Sequence, residues 1–382
     1  MARQREQRRD SLNTPSGRST ALPPTLFSAQ LRPLRFSAFS PSRMPAVPTA
    51  TTIHRMTTPM TVAVTGATGF VGRAIVAELL KQGYSVRALV RNRVKAREVL
   101  PRSANLTLVE GDIHDDRSPA ELVTGAQACV HLIGIIREER GGVTFHRMHV
   151  ASTRVITDAC KAAGVNRYVQ MSALGVRDDA DCAYRTSKWE AEQIVRRSGL
   201  DWTIFRPGMI HGKDSSFLAM AVQWCKGETP PFFFLPYFRG GKEDTSVPLG
   251  GVNYRDPVIQ PVAVEDVAAA FVRSLDRPQT VGETYNLVGT ERLTWPELLV
   301  ELRNNIPGSN ANLQPWGLPA DLMALQALGA SYVGLGGLLP FDHGMAVMGG
   351  QDNTAETKKV EAHLELIAKP FRASFRAYAD AL

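Results

Sequence analysis

Short runs of β-branched and aliphatic residues alternate with stretches of helical periodicity from residue 60 onward. The runs predict six strands, at Thr61 to Thr65, Ser85 to Val90, Leu106 to Glu110, Ala128 to Ile133, Tyr168 to Met171 and Trp202 to Phe205. Three helices are predicted, at Gly72 to Gln82, Val150 to Ala163 and Tyr184 to Ser198. Strands and helices that alternate at this spacing predict an α/β fold with a doubly wound parallel sheet and right-handed crossovers.

The pattern loosens after the sixth strand. Pro230 to Tyr237 and Phe238 to Asp256 are rich in proline, glycine and aromatic residues, which predicts loops with short elements that cover a pocket. We therefore expect a leader over residues 1–59, a nucleotide-binding domain with inserted substrate-side loops over residues 60–300, and a smaller substrate, lid or docking region over residues 301–382.

Leu322 to Leu339 is apolar enough to raise the question of membrane insertion, but four glycines interrupt it. A spanning helix needs about 20 predominantly apolar residues. The composition favours a buried or surface-docking segment, with shallow contact with a membrane protein as the alternative, and no transmembrane segment is predicted.

The formal charge of +7 comes from the first 60 residues, which hold nine Arg, no Lys and two acids, while 35 basic and 35 acidic residues follow. The folded part is therefore neutral, which argues against nucleic-acid binding. The leader has the composition of a mitochondrial transit peptide, but prolines interrupt any long helix. An over-extended gene start, with Met60 as one internal start, is the other interpretation. The protein would be mitochondrial in the first case and cytoplasmic, or peripheral at the inner membrane, in the second.

The four cysteines form no CxxC pair and have no histidine at metal-ligand spacing. This argues against a zinc site or a disulfide framework and favours a reducing compartment with cysteines as small buried residues. No metal site is predicted.

A glycine-rich turn, Gly66-Ala-Thr-Gly-Phe-Val-Gly72, follows the first strand and opens the first helix. In this context the glycines are typical of a turn that binds the pyrophosphate of a dinucleotide, as in a Rossmann fold. Gly66 would permit the sharp turn, Gly69 would let the backbone approach the phosphates, and Gly72 would let the helix pack closely. The binding residues expected here are Gly66, Thr68, Gly69, Phe70, Val71 and Gly72.

The end of the second strand reads Val90-Arg-Asn-Arg93 and has no acid to accept bonds from the ribose hydroxyls. An arginine would instead pair with a 2′-phosphate, which predicts that NADP(H) is preferred over NAD(H), with Arg91 as the first contact and Arg93 as the second. The alternative interpretation is that both arginines are solvated surface charges. Asp112 and Ile113, after the third strand, are candidates for contacts with adenine, although Asp112 could be a helix cap.

Tyr184 and Lys188 are four residues apart, a spacing that places both on one helix face. A nearby ammonium favours the phenolate, so Lys188 is expected to lower the pKa of Tyr184. Ser172, at the end of the fifth strand, could bond a substrate carbonyl as hydride arrives from the nicotinamide.

These motifs, together with Met171-Ser-Ala-Leu-Gly175 and Arg206-Pro-Gly-Met-Ile-His-Gly212, resemble the extended or atypical short-chain dehydrogenase/reductase superfamily over residues 61 to about 300. Phe145 to Val150 and the helix around Lys188 resemble the group of the nucleotide-binding accessory subunit of respiratory complex I.

The resemblance implies a catalytic triad of Ser172, Tyr184 and Lys188, with Lys188 also bonding the nicotinamide ribose. It implies backbone contacts from Pro207, Met209 and Ile210 to the carboxamide. His149 stands where many active relatives have the asparagine that holds a proton-relay water, which puts that relay in question.

Two functions follow. The triad favours an NADP(H)-dependent reductase, dehydrogenase or epimerase-like enzyme that acts on a carbonyl or hydroxyl group. The complex-I-like residues and the apolar stretch favour a non-catalytic subunit that holds NADP(H) in a membrane respiratory complex. The sequence specifies neither the substrate, whose pocket is expected between about Lys213 and Asp256 and in the C-terminal region, nor the oligomeric state.

Overall fold

The structure is a computed structural model that describes residues 59–139, 141–179, 182–244, 251–332, 339 and 341–382. Residues 1–58 of the predicted leader lie outside the described residues. The strands are, in chain order, β1 (Thr61–Thr65), β2 (Ser85–Val90), β3 (Leu106–Glu110), β4 (Ala128–His131), β5 (Arg167–Met171), β6 (Asp201–Pro207), β7 (Ile210–His211), β8 (Phe234–Asp244), β9 (Gly251–Arg255), β10 (Val258–Ile259), β11 (Val262–Ala263), β12 (Glu283–Leu287), β13 (Leu293–Thr294) and β14 (Gln314–Pro319).

The helices cover both faces of the central sheet and continue beyond it. They are α1 (Phe70–Lys81), α2 (Arg93–Val99), α3 (Ser118–Val123), α4 (Ser152–Ala163), α5 (Ala183–Arg196), α6 (Ser216–Lys226), α7 (Val264–Leu275), α8 (Trp295–Asn305), α9 (Ala320–Tyr332), α10 (His343–Gly349), α11 (Lys358–Leu364) and α12 (Phe371–Ala379), with a π-helix at His146–Ala151 and a 3-10 turn at Pro278–Thr280.

The central sheet has seven parallel strands in the order β12-β6-β5-β4-β1-β2-β3. This confirms the predicted doubly wound parallel sheet. Side chains of β1 alternate between its faces: Val62 and Val64 pack in the core below α1 and α7, and Ala63 packs in the core below α3 and α4. Because all seven strands are parallel, their carboxyl ends meet at one edge of the sheet, where ligands of such sheets bind.

The proline- and glycine-rich stretch predicted to form loops is instead the centre of a second sheet. β8 is eleven residues long, pairs antiparallel with β9 and parallel with β14, and keeps Pro236 and two glycines within the strand. The loop prediction is wrong because these glycines serve close packing: a Cβ on Gly240 would lie 2.2 Å from the carbonyl oxygen of Gly350.

The predicted helix at Val150 to Ala163 begins earlier, with the π-helix that continues directly into α4. The N–H of Ser152 donates to the carbonyl of Arg147, five residues back, which is the π-type bond. The hydroxyls of Ser152 and Thr153 donate to the carbonyls of Met148 and His149 at 2.6 Å each. His149 therefore lies on a locally widened turn.

The C-terminal segments pack against two parts of the molecule. Val360 and Leu364 of α11 join the core beside α7, and Phe371 and Phe375 of α12 join a third core with α6 and α8. Within the described ranges no helix is long and apolar enough to cross a membrane. α9 covers the first part of the apolar Leu322 to Leu339 stretch, whereas residues 333–338 lie outside the described residues.

Candidate active site

Two adjoining cavities lie at the carboxyl edge of the central sheet. The β1 cavity has a volume of about 490 Å³ and is lined by residues after β1, β2, β3 and β4. The β5 cavity, of about 430 Å³, is lined by residues after β5 and β6, by α5 and by C-terminal residues. Both are lined by Gly134 and Ile135, which follow β4. A ligand that fills one cavity can therefore reach the other.

The glycine turn has the geometry that its sequence predicts. Gly66 has a φ of +70°, which glycine adopts without strain. A Cβ on Gly72 would lie 2.1 Å from the carbonyl oxygen of Gly66, so only glycine lets α1 pack against the turn. Gly66, Thr68 and Gly69 line the β1 cavity. The other three predicted residues start α1, where Val71 and Gly72 are buried and Phe70 is half-buried.

The two arginines after β2 differ in their surroundings. Arg91 is exposed, lines the β1 cavity and has no hydrogen bond or ion pair with the described residues. Arg93 faces a different cavity, donates to the carbonyl of Leu108 at 3.1 Å and pairs with Glu110 at 3.7 Å. The geometry thus leaves Arg91, rather than Arg93, available to a ligand.

Asp112 and Ile113 also line the β1 cavity. One oxygen of Asp112 accepts the N–H of His114 at 3.0 Å, so the side chain stabilises its own turn while it faces the cavity. The Nε2 of His114 is buried in this wall without a partner among the described residues. Burial and the nearby Arg147 lower the pKa of His114, which keeps the ring neutral.

The β5 cavity brings together the second group of predicted residues. They are Ser172, Tyr184, Lys188, Pro207, Met209 and Ile210. The Lys188 ammonium donates to the carbonyl of Met171 at 3.2 Å. A Cβ on Gly134 would lie 2.8 Å from this ammonium and 3.4 Å from Nε2 of His149, so Lys188 and His149 meet at the junction of the two cavities.

Burial shifts the pKa values of Tyr184 and Lys188, both on α5, in opposite directions. It raises the pKa of Tyr184 to about 12, with a further rise from Cys182. It lowers the pKa of Lys188 to about 8, partly offset by Glu192. The expectation that Lys188 lowers the pKa of Tyr184 is not met, because the loss of hydration raises that pKa and the charge that lowers it is that of Arg185.

Ser172 donates its hydroxyl to a buried carboxylate, Oε1 of Glu192, at 2.6 Å. Arg206 binds the same carboxylate through two bonds of 2.7 and 2.6 Å, and Arg196 adds a third of 3.1 Å. Because its only proton is used, Ser172 faces the cavity as a hydrogen-bond acceptor.

His149 is buried and held from several sides. Its Nδ1 lies 2.8 Å from the Ser187 hydroxyl, and its Nε2 lies 3.1 Å from both the backbone nitrogen and the carbonyl oxygen of Ile135. Its ring lies 5.5 Å from that of Tyr184 in an edge-on contact. Burial and Lys188 lower the pKa of His149 to about 2. The Ser187 hydroxyl also contacts the carbonyl of Tyr184 at 2.8 Å, so His149, Ser187 and the start of α5 are held in one chain of hydrogen bonds.

Comparison with known proteins agrees with this geometry. Residues 66–222 match the family described as NAD(P)H-binding. Residues 66–222 are therefore similar to NAD(P)H-binding domains.

The curated proteins to which the chain is similar include reductases and a respiratory subunit. The chain is 35% identical to a ceramide reductase of Caulobacter vibrioides over 153 residues, 40% of this chain and 46% of that one. It is 30% identical to the mitochondrial NADH dehydrogenase [ubiquinone] 1 alpha subcomplex subunit 9 of Arabidopsis thaliana, over 61% of this chain and 54% of that one. The chain thus spans about half the length of both relatives.

A solved structure, an NADPH-dependent quinone oxidoreductase of Escherichia coli complexed with NADPH, has the same fold. It aligns with a TM-score of 0.59 at 20% identity, over 82% of this chain and 98% of that one.

The residues that line the β1 cavity fit a dinucleotide. A Cβ on Gly66 or Gly72 would crowd the backbone of Leu132 or of the turn itself, so the tight turn requires glycine at both positions. The exposed guanidinium of Arg91 and the buried Nε2 of His114, neither of which has a partner among the described residues, belong to the same cavity wall. When bound, a nicotinamide dinucleotide supplies or accepts hydride.

Several residues of the site were not predicted. Gly134 could have been found from its position after a strand of the parallel sheet, and Glu192 from its position four residues after Lys188 on the same helix. No local signal marks Asn353, whose side-chain oxygen accepts the N–H of Met209 at 3.2 Å from a segment 144 residues later in the chain.

Proposed function

We propose that this protein is an NADP(H)-dependent oxidoreductase that acts on a carbonyl or hydroxyl substrate, with Tyr184 as acid and base. The observation that carries the proposal is the common cavity of Ser172, Tyr184 and Lys188, which meets the β1 cavity at Gly134. A nicotinamide held from the glycine turn toward Pro207, Met209 and Ile210 would lie against these three side chains.

The pKa of Tyr184 favours the direction of reduction. With a pKa of about 12 the phenol keeps its proton near neutrality and donates it to the carbonyl oxygen as hydride reaches the carbonyl carbon. The C=O double bond becomes C–OH, with the hydride that a bound nicotinamide dinucleotide would supply and the proton of Tyr184. The negative charge left on Tyr184 is removed when a proton from solvent restores the phenol.

Ser172 differs from the role expected for it, because its proton is directed at Glu192. We propose that Ser172 accepts a hydrogen bond from the alcohol product, or from the phenol of Tyr184 before transfer. In the reverse direction the same oxygen would hold a substrate hydroxyl in place.

Preference for NADP(H) is part of the proposal. Arg91 supports it, since its guanidinium faces the β1 cavity with no partner among the described residues and no acid follows β2. A 2′-phosphate provides the bidentate acceptor that an arginine side chain matches.

The substitution Tyr184→Phe tests the function. It removes the proton that is transferred and leaves the ring in place, so we expect a loss of turnover of about 10²- to 10⁴-fold with a carbonyl substrate. The dissociation constant for NADPH, measured by fluorescence titration, should stay within about twofold, because the phenol is not needed to bind the phosphates. Equal rates in the variant and the wild type would remove Tyr184 from the mechanism.

A second candidate function is a non-catalytic subunit that holds NADP(H) in a complex-I-like assembly at a membrane. The occupied hydroxyl of Ser172 and the exposed leucines of α9, Leu322, Leu325 and Leu328, favour it. Such a subunit would retain NADP(H) through purification and show no reduction with any carbonyl. Rapid exchange of the nucleotide together with turnover would exclude it.

A further inference from the structure

A third cavity, which we call the aromatic chamber, adjoins the β5 cavity. Its volume is about 410 Å³, and it lies between α6, the start of β8, the end of β14 and α10. Phe217, Trp295 and Gly349 line both the chamber and the β5 cavity. The chamber is therefore a lateral extension of the proposed reaction site.

The described wall of the chamber contains no charged side chain. Two of its polar groups are used elsewhere: the indole N–H of Trp224 donates to the carbonyl of Pro230 at 3.1 Å, and the Tyr237 hydroxyl donates to Asp256 at 2.8 Å. The remaining surface is mostly aromatic rings, prolines and methionines. The described lining offers few groups to replace the hydration of a polar ligand, so it favours an apolar occupant over a sugar or a nucleotide.

Apolar side chains continue from the chamber to the surface. Pro230 and Pro231 line the chamber, and the next two residues, Phe232 and Phe233, are 49% and 86% exposed. Trp316, which pairs with Pro236 across the sheet, is 63% exposed. An apolar chain that enters here would stay in contact with apolar groups along its length.

We propose that the substrate is a carbonyl compound with an extended apolar tail, whose carbonyl lies at Tyr184 in the β5 cavity and whose tail occupies the aromatic chamber. This inference rests on the proposed function, since it assigns the tail of the substrate reduced at that site. Phe217 and Trp295 form the passage between the two spaces. The site combines a small number of polar groups with a large apolar volume, as small-molecule sites commonly do.

The test is a series of straight-chain aldehydes, butanal, octanal and dodecanal, reduced by the full-length protein with NADPH. The wild type should show kcat/KM that rises at least about tenfold from butanal to dodecanal, because each methylene that leaves water for the chamber adds binding free energy. Met220→Lys places a charge in the chamber wall and should lower kcat/KM for dodecanal at least about tenfold while butanal stays within about twofold.

Gln223→Lys is the matched control, because Gln223 is exposed on the same helix and does not line the chamber. Gln223→Lys should leave kcat/KM unchanged for both butanal and dodecanal. Circular dichroism and the NADPH dissociation constant establish that each variant is folded. If Met220→Lys does not fold, Met345→Lys, on α10 in the opposite wall, replaces it.

A binding measurement separates this inference from the proposed function. Dodecan-1-ol should change the tryptophan fluorescence of the wild type saturably, because Trp224 and Trp295 line the chamber. It should not change the fluorescence of Met220→Lys. If butanal and dodecanal are reduced equally well, the apolar-tail inference is overturned and the oxidoreductase function stands. If no aldehyde is reduced but dodecan-1-ol binds and Met220→Lys abolishes binding, the chamber stands and the oxidoreductase function fails. If neither occurs, both are overturned.

Discussion

Burial of Lys188 links the site to the stability of the fold. An ordinary lysine has a pKa near 10.5, and the buried ammonium of Lys188 has one of about 8. The unfolded chain therefore binds more protons between these two values, so the contribution of Lys188 to the free energy of unfolding rises with pH across that window.

The substitution Lys188→Met should remove this rise. Between about pH 8 and about pH 10, the free energy of unfolding of the wild type should gain on that of the variant by an amount on the order of 3 kcal/mol at most. Urea denaturation at both pH values measures it, and Lys81→Met, at an exposed lysine, provides the control. A difference between wild type and Lys188→Met that is independent of pH would contradict the lowered pKa.

Arg91 and Arg93 provide a matched pair for nucleotide preference. Arg91→Ser should weaken NADPH binding by about tenfold or more and leave NADH nearly unchanged, since a charge-assisted bond of about 1.5–3 kcal/mol is lost only with the phosphorylated ribose. Arg93→Ser should alter neither, because Arg93 faces another cavity and bonds Leu108. Fluorescence titration measures the dissociation constants for NADPH and NADH. An equal loss of affinity for both nucleotides in Arg91→Ser would show that Arg91 does not select the 2′-phosphate.

The sequence predicts which residues of the site meet but not their protonation. Tyr184 and Lys188 share a helix face by spacing alone, and Ser172 follows a strand of the same sheet edge. Their pKa values and bonds depend on Glu192, Cys182 and segments packed over the cavity from distant parts of the chain. Only the folded chain determines those contacts.

At the level of elements, α9 has an inverted burial pattern. Its buried residues are the small Ala320, Ala324 and Ala327, whereas Leu322 and Leu325 are 54% and 66% exposed. Helices of globular proteins usually place their large apolar residues in the core. Close packing of the alanine face thus fixes α9 against α10 and β8.

This packing predicts opposite results at neighbouring positions. Ala324→Leu should lower the free energy of unfolding by about 1–3 kcal/mol, because the buried face has no room for the larger side chain. Leu325→Gln should change it by less than about 0.5 kcal/mol, since the exposed leucine loses little contact. Denaturant unfolding of the two variants measures both. Greater destabilisation by Leu325→Gln would mean that the leucine face is covered.

The elements that could be predicted are those whose local pattern agrees with the tertiary packing. β1, β2 and β3 have the predicted bounds because β-branched runs end at glycines or turns. β8 could not be found, since Pro236 and Gly240 are typical of loops and their use in a strand depends on Gly350, 110 residues later. The π-helix was likewise not predicted, and its His149 contacts Ile135 and Ser187, which lie in other segments of the chain.

At the level of the whole molecule, the last residues of the chain connect the central sheet with the region around the chamber. α11 packs against α7 and β12, and α12 packs against α8 and β11. Asn353, between α10 and α11, bonds Met209 within the β5 cavity wall. Loss of the C-terminal helices should therefore affect stability and site together.

Phe375→Ala tests this connection. Phe375 is fully buried and stacks on Phe371 with ring centroids 5.4 Å apart, so the cavity left by alanine should cost about 3–5 kcal/mol of the free energy of unfolding. Phe375→Leu should lower the free energy of unfolding by less, because leucine fills most of the volume that the phenyl ring occupies. Both are measured by denaturant unfolding, and a loss below about 1 kcal/mol for Phe375→Ala would show that α12 contributes little to the fold.

The burial of all four cysteines, Cys129, Cys160, Cys182 and Cys225, has a practical consequence. A thiol reagent meets no exposed native cysteine in the folded protein. A single Phe233→Cys substitution would therefore accept a polarity-sensitive dye at one position, 86% exposed beside the aromatic chamber, with the native cysteines left in place. The dye would report, in real time and without turnover, the arrival of an apolar molecule at that entrance.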